Sequence, residues 1–184
     1  PPFVTAGTGL DAFAHCVEAF SSPHYHPMSH GIAVEGMRLV IENLPKVYNN
    51  PNDIEARSHM MSAAMMGATA FQKGLGAIHA LSHPIGAMYN THHGTTNAVC
   101  MPAVLDFNAA EISQRFDQVA GYIGIQNGFK GFCAFVREFN ASLQIPMNLS
   151  DLGIVNADVE KLTEAALKDP SCGGNPIALN SENV

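Results

Sequence analysis

The 184-residue chain sets nine Lys and Arg against sixteen Asp and Glu, and is 47% apolar but only 14% charged. Its cations are scattered, which excludes a phosphate-tracking nucleic-acid surface. No apolar stretch reaches the roughly 18 residues of a membrane span.

Helical periodicity runs through most of the chain. From Met28 to Leu44, residues Ile32, Met37, Val40, Ile41 and Leu44 fall mostly three or four apart and make one apolar face. Pro45 and Asn49-Asn50-Pro51 are expected to end that element. Asn52 or Asp53 can cap the next helix, through Glu55, Met60, Met61, Ala64, Met65 and Ala68, whose methionines read as adaptable core packing. The run Ala98 to Leu105 is ambiguous between a strand and a buried helix. Glu111 to Ile123 and Phe129 to Leu143 read as two helices about a glycine-containing turn, and Pro146 and Gly153 mark a loop. Asn156 can cap a helix with Asp158 and Glu160 in its first turn, ending near Lys168 before Asp169-Pro170. With no convincing strand or internal repeat, an all-α multi-helix bundle over residues 1–184 is expected.

The charged fraction lies below the ~25% of an ordinary domain. Either the surface is simply neutral, or something outside this sequence covers part of it. Both ends read as cut, because nothing precedes Pro1-Pro2 and Ser181 to Val184 stop where a capped helix could begin. Cys16, Cys100, Cys133 and Cys172 form no CxxC pair and read as buried free thiols. With no basic leader ahead of an apolar segment, a soluble cytoplasmic protein is expected.

The histidines carry the functional signal. Asp11 and His15 stand four apart, one turn apart on one helix face, and His79 and His83 repeat that spacing. His93 follows ten residues after His83. Facing helices that contribute such pairs are how an all-α protein builds a metal site. One carboxylate with three imidazoles leaves a divalent ion near one positive charge, with room for an outside oxygen ligand if the geometry stays open. Spacing alone leaves open which four of these five groups bind, since His83 is as well placed as His79. The competing reading is a surface Asp-His pair and a chance H-x-x-x-H. His24, His26 and His30, around the Pro-rich turn, offer a second and weaker cluster. His92 should face solvent, and His59 should be a partly exposed helix residue.

The stretch Thr5-Ala6-Gly7-Thr8-Gly9-Leu10-Asp11-Ala12 through His15-Cys16-Val17-Glu18-Ala19 resembles the entry to the metal domain of the iron-containing, group III alcohol dehydrogenases. Gly74 to Ala87, with Tyr89-Asn90-Thr91, His93-Gly94, Asn97-Ala98 and Pro102, is similar to that family's long histidine signature. Ile145-Pro146, Asp151-Leu152-Gly153 and Gly173-Gly174-Asn175-Pro176 extend the resemblance over nearly the whole chain. It implies the all-helical C-terminal domain of the dehydroquinate synthase-like type, with Asp11, His15, His79 and His93 as metal ligands. His83 would lie beside nicotinamide and substrate, in a proton-relay or orienting role. The implied activity is hydride transfer between a small primary alcohol or aldehyde and NAD(P), in a complete protein that is a homo-oligomer. NAD(P) would be held mainly by an N-terminal dinucleotide-binding domain, because no glycine-rich phosphate loop is found here. The chain alone is then expected to be inactive, with its last helices truncated. Iron is expected by resemblance, yet zinc binds such ligands at least as tightly. Alternative readings are a helical His/Asp metal-dependent hydrolase, whose adjacent His-Asp pair is missing here, and a non-catalytic metal-binding or merely helical module. Zinc-dependent glycerol-dehydrogenase or dehydroquinate-synthase relatives are less well matched by Asp11 with three histidines.

Overall fold

Nothing charged precedes Asp11, and Pro2 supplies the fixed φ that suits a helix start. These residues open helix α1 (Pro2–Ser21) in a computed structural model that describes residues 1–184. Between Gly9 and Ser21 only Asp11 and His15 escape full burial. A helix apolar almost all round belongs in the middle, and α1 packs against α2 (Pro27–Asn49), α3 (Ile54–Ala70) and α5 (His93–Tyr122).

Helix α2 begins with His26 as its cap, Nδ1 accepting from Ser29 N at 3.1 Å. Met37, Val40 and Leu44 are buried as the periodicity requires, and Ile32 and Ile41 pack at the core margin. Pro45 does not end it, contrary to expectation. One backbone donor is lost there, but buried Val47 holds the last turn to the core and Asn49 Nδ2 donates to Pro45 O at 2.8 Å. A four-residue turn then reverses the chain into α3, capped by Asp53 Oδ1 accepting from Ala56 N at 2.9 Å. The inner face of α3 is Ala56, Ala63, Gly67 and Ala70, small residues that bring it close to its neighbours. Met60 and Met66 pack at the core margin, whereas Met61 and Met65 are each 70% exposed, so the core reading fails for those two.

Helix α4 (Ala77–Tyr89) leads into α5, which is continuous over 30 residues. The ambiguous run Ala98 to Leu105 is therefore helical, and the segment expected to start at Glu111 is its second half. Pro102 inside α5 leaves Ala98 O without its helical donor. Asn140 of α6 (Gly128–Ser142) fills that gap, its Nδ2 donating to Ala98 O at 2.7 Å. Helix α7 (Val159–Lys168) ends as expected but is capped by Asp158, not Asn156. Asp158 Oδ1 accepts from Lys161 N at 3.2 Å, and Tyr89 Oη fixes the cap residue by accepting from its backbone N–H at 2.8 Å.

No residue is in a strand, so the architecture is all-α, with two short 3-10 turns at Phe71–Lys73 and Pro170–Gly174. Helices α1, α5 and α6 meet over an aromatic cluster, with Phe13 6.1 Å from Phe132 and Phe116 4.8 Å from Phe132. Helix α4 lies across α5 and α7 and reaches the second 3-10 turn. Cys16, Cys100 and Cys133 are buried free thiols, while Cys172 is only half-buried, on the more open 3-10 turn. No helix is long and apolar enough to cross a membrane.

Candidate metal centre

Three helices supply the histidine cluster. Asp11 and His15 rise one turn apart from α1, His79 sits in the first turn of α4, and His93 is the first residue of α5. Close crossing makes the last of these possible. A Cβ on Gly94 would collide with the Gly7 carbonyl and stand 3.1 Å from Asp11 Cβ, so only glycine lets the start of α5 lie against α1. Gly67 of α3 allows a close approach behind His15, where a Cβ would stand 3.0 Å from His15 Cβ.

The imidazoles converge on one oxygen. Asp11 Oδ1 lies 3.6 Å from His15 Nε2, 3.5 Å from His79 Nε2 and 3.3 Å from His93 Nε2. Donor atoms of Asp11, His15 and His79 all fall within 4.8 Å of one another. His93 joins from the more open side, its side chain 43% exposed against 2% for His79. Glu18 fixes the His79 ring from behind. Its Oε2 lies 2.5 Å from His79 Nδ1, and its Oε1 accepts from Ile78 N at 2.6 Å. With Nδ1–H donated to a carboxylate, His79 turns the Nε2 lone pair into the cluster, as metal-ligating histidines do.

Asn97, one turn beyond His93 on α5, completes the cluster. Its Nδ2 donates to Asp11 Oδ1 at 2.7 Å and lies 3.2 Å from His79 Nε2 and 3.1 Å from His93 Nε2. The amide hydrogens thus face the lone pairs that a cation would take. Turning the amide over would aim its oxygen at the Asp11 carboxylate, so the orientation is forced. It leaves Asn97 Oδ1 buried without a partner, at about 1–3 kcal/mol.

Burial opposes the charge on Asp11, yet hydrogen bonds to His79 and His93 outweigh it and hold the carboxyl well below the usual range. Burial also opposes charge on His79, but Asp11 and Glu18 reverse this and push it up to about 9. A protonated Nε2 would set N–H against the Asn97 N–H at 3.2 Å, so the hydrogen bonding and the titration pull in opposite directions. Both express one demand: two carboxyl groups flank a single imidazole and call for positive charge. A proton and a metal cation compete for that Nε2. His15 is lowered, chiefly by burial, which favours the neutral ligand form. The donor set therefore fits a divalent cation.

His83, equal to His79 by spacing alone, is drawn the other way. Its ring stacks on His93 at 5.3 Å, and its Nδ1 lies 2.7 Å from Asp169 Oδ2. His26 caps α2, and His30 Nε2 accepts from Lys73 Nζ at 2.6 Å, so both are engaged elsewhere than in a metal cluster. His92 is exposed and also caps α5 through Nδ1 and Thr95 N at 3.3 Å. His59 lies exposed on α3. Glu18, Asn97 and Asp169 are the partners to which spacing assigned no role, and Phe71, 5.1 Å from His15 ring to ring, walls the cluster on the α3 side.

The model of the Fe-containing alcohol dehydrogenase family, C-terminal, matches residues 5–184. A 4-hydroxybutyrate dehydrogenase of Cupriavidus necator is 37% identical over 185 residues, covering 96% of this chain and 48% of that one. The NAD-dependent methanol dehydrogenase of Bacillus methanolicus is 34% identical and covers all of this chain and 50% of its own. Among solved structures, a 1,3-propanediol oxidoreductase superposes with a TM-score of 0.93 at 31% identity, over 99% of this chain and 50% of that one. The chain spans about half the length of the curated relatives it matches.

Proposed function

The chain belongs to the iron-containing alcohol dehydrogenase family, and on that premise we propose that it is the metal-binding half of an NAD(P)-dependent alcohol dehydrogenase. Asp11, His15, His79 and His93 hold the cation, iron by family and zinc by ligand chemistry alone. The observation that supports this most directly is the convergence of three Nε2 atoms on Asp11 Oδ1, with Asn97 offering N–H groups to the same lone pairs. The substrate is a small primary alcohol or its aldehyde, as methanol, 4-hydroxybutyrate and 1,3-propanediol in the relatives' names are primary alcohols or come from them. NAD(P) is held mainly by a nicotinamide-binding half outside these residues, so this chain alone is inactive. Its free thiols suit the cytoplasm.

When bound, the cation supplies Lewis acidity toward an alcohol oxygen and the nicotinamide accepts the hydride. The protein's own groups do the rest. Glu18 keeps the His79 ring turned inward, and Phe71 beside His15 shields one wall from water. His83, 42% exposed and stacked on His93, moves the hydroxyl proton between the centre and solvent.

Metal uptake by the chain tests the first half of this reading. One equivalent of Zn2+ or Fe2+ is expected, and a His79→Ala/His93→Ala variant should take up none. Uptake unchanged in that variant, or a fold indifferent to chelator with no metal retained, would refute the site. The second half is tested by alcohol-dependent NAD(P)+ reduction in the protein read from its complete gene.

A further inference from the structure

Asp169 stands 86 residues from His83 in sequence, at the start of the second 3-10 turn, and each of its oxygens has a separate task. Oδ1 accepts from Ser171 N at 2.8 Å and caps the turn, while Oδ2 lies 2.7 Å from His83 Nδ1. The far end of that turn is tied to α4 and α5. The Asn175 and Asn108 amides exchange hydrogen bonds of 2.9 Å each, and Asn175 Oδ1 also accepts from Ala77 N at 3.1 Å, where α4 begins. The carboxylate is thereby fixed in position against the helix that carries His79 and His83. Burial alone would raise the Asp169 carboxyl, but its hydrogen bonds from Ser171 and His83 hold it below the usual range. It is an ionised, acceptor-only partner.

We propose that Asp169 is the positioning residue for His83, accepting Nδ1–H so that Nε2 is left as the lone pair that takes the substrate hydroxyl proton. The proposal rests on the proton-moving role given to His83 above. A neutral imidazole carries one N–H, and a carboxylate can only accept, so their contact fixes the tautomer. In alcohol oxidation the O–H bond breaks toward His83 Nε2 while the carbinol carbon gives its hydride to the nicotinamide. The imidazolium then has both nitrogens protonated, one facing Asp169, and releases the Nε2 proton through its exposed edge to solvent. Alcohol and NAD(P)+ become aldehyde, NAD(P)H and one proton.

Asp169→Asn separates this role from simple support. The amide oxygen can still cap Ser171 N, whereas the amide N–H groups would donate to His83 Nδ1 and drive the ring proton onto Nε2. Long-range 1H–15N NMR on the metal-free, 15N-labelled chain should find His83 protonated on Nδ1 in the wild type. It should find Nε2–H in D169N and Nδ1–H again in D169E, with thermal unfolding close to wild type. In the complete metal-loaded protein, D169N should lose about 10- to 100-fold in kcat, part of the ~10²–10⁴ that general acid–base catalysis contributes. KM should move little, and D169E should recover most of the rate. An Nε2–H tautomer in the wild type, a tautomer unmoved by D169N, or an unchanged kcat would each overturn the proposal. Failure of the functional reading looks different: the wild type itself would turn over no alcohol, while NMR on the chain would still decide whether Asp169 sets the tautomer.

Discussion

Glu18 is 4% exposed and divides its oxygens between Ile78 N and His79 Nδ1, so it sets both the start of α4 and the direction of the His79 ring, a proposed ligand. Replacing it by glutamine keeps the volume but offers one acceptor and one donor. If the amide nitrogen faces His79, the imidazole proton moves to Nε2 and blocks the metal lone pair. Glu18→Gln should therefore weaken Zn2+ or Fe2+ binding by about 10- to 100-fold, read by competition with a chromophoric chelator. Affinity equal to wild type would show that Glu18 has no part in holding the ring. The signal for this residue was present in the chain: Asp11, His15 and Glu18 follow i, i+4, i+7 on one face, and Asn97 is four beyond His93. Spacing does not say that a carboxylate or amide will act on a ligand and not on the ion. Asp169 left no such trace, because tertiary folding alone brings it to His83.

Helix crossings decide whether the proposed ligands meet. At the Gly7–Gly94 crossing the two backbones touch, which brings His93 Nε2 to 3.3 Å from Asp11 Oδ1. Gly94→Ala forces α5 away from α1 and should cost about 1–3 kcal/mol, visible as a lower urea midpoint with an unchanged m-value. It should also weaken metal binding through His93 before it disturbs the His15–His79 pair. A variant as stable as wild type would mean the crossing gives way freely. The elements themselves were mostly legible, since apolar residues at three- and four-residue spacing require buried helix faces. The local stop signal at Pro45 misled because tertiary packing outweighed it. Pro45 fails to end α2 because Val47 is buried beyond it, and Pro102 sits inside α5 because Asn140 donates to the carbonyl it orphans. Met61 and Met65 were misread because small residues form the inner face of α3, and only Met60 and Met66 of its methionines reach the core margin.

At the scale of the molecule, four segments are tied together at the C-terminal end of α1. Lys73 Nζ donates to Ala19 O at 2.9 Å and Ser22 O at 2.6 Å, and Arg115 of α5 donates to Phe20 O at 2.8 Å and Ser22 O at 3.0 Å. Cations there suit the negative end of the helix dipole. His30 of α2 closes the group by accepting from Lys73 at 2.6 Å, which requires a neutral ring. Burial first, then the positive charges of Lys73 and Arg115, bring His30 down from 6.5 to about 4. Between those values the unfolded chain binds a proton that the folded chain refuses. This contribution is thus complete above 6.5 and is lost as pH falls toward 4. Asp11, also held low, acts with the same sign at more acid pH. His79 has the opposite sign, since its value is raised to about 9, and its contribution is lost as pH rises. A His30→Gln variant isolates the first effect, because the amide oxygen still accepts from Lys73 but does not titrate. In urea unfolding the wild type should lose more stability than the variant as pH falls through the window from 6.5 to 4. Two curves that fall in parallel would mean that His30 does not carry the acid sensitivity of this junction.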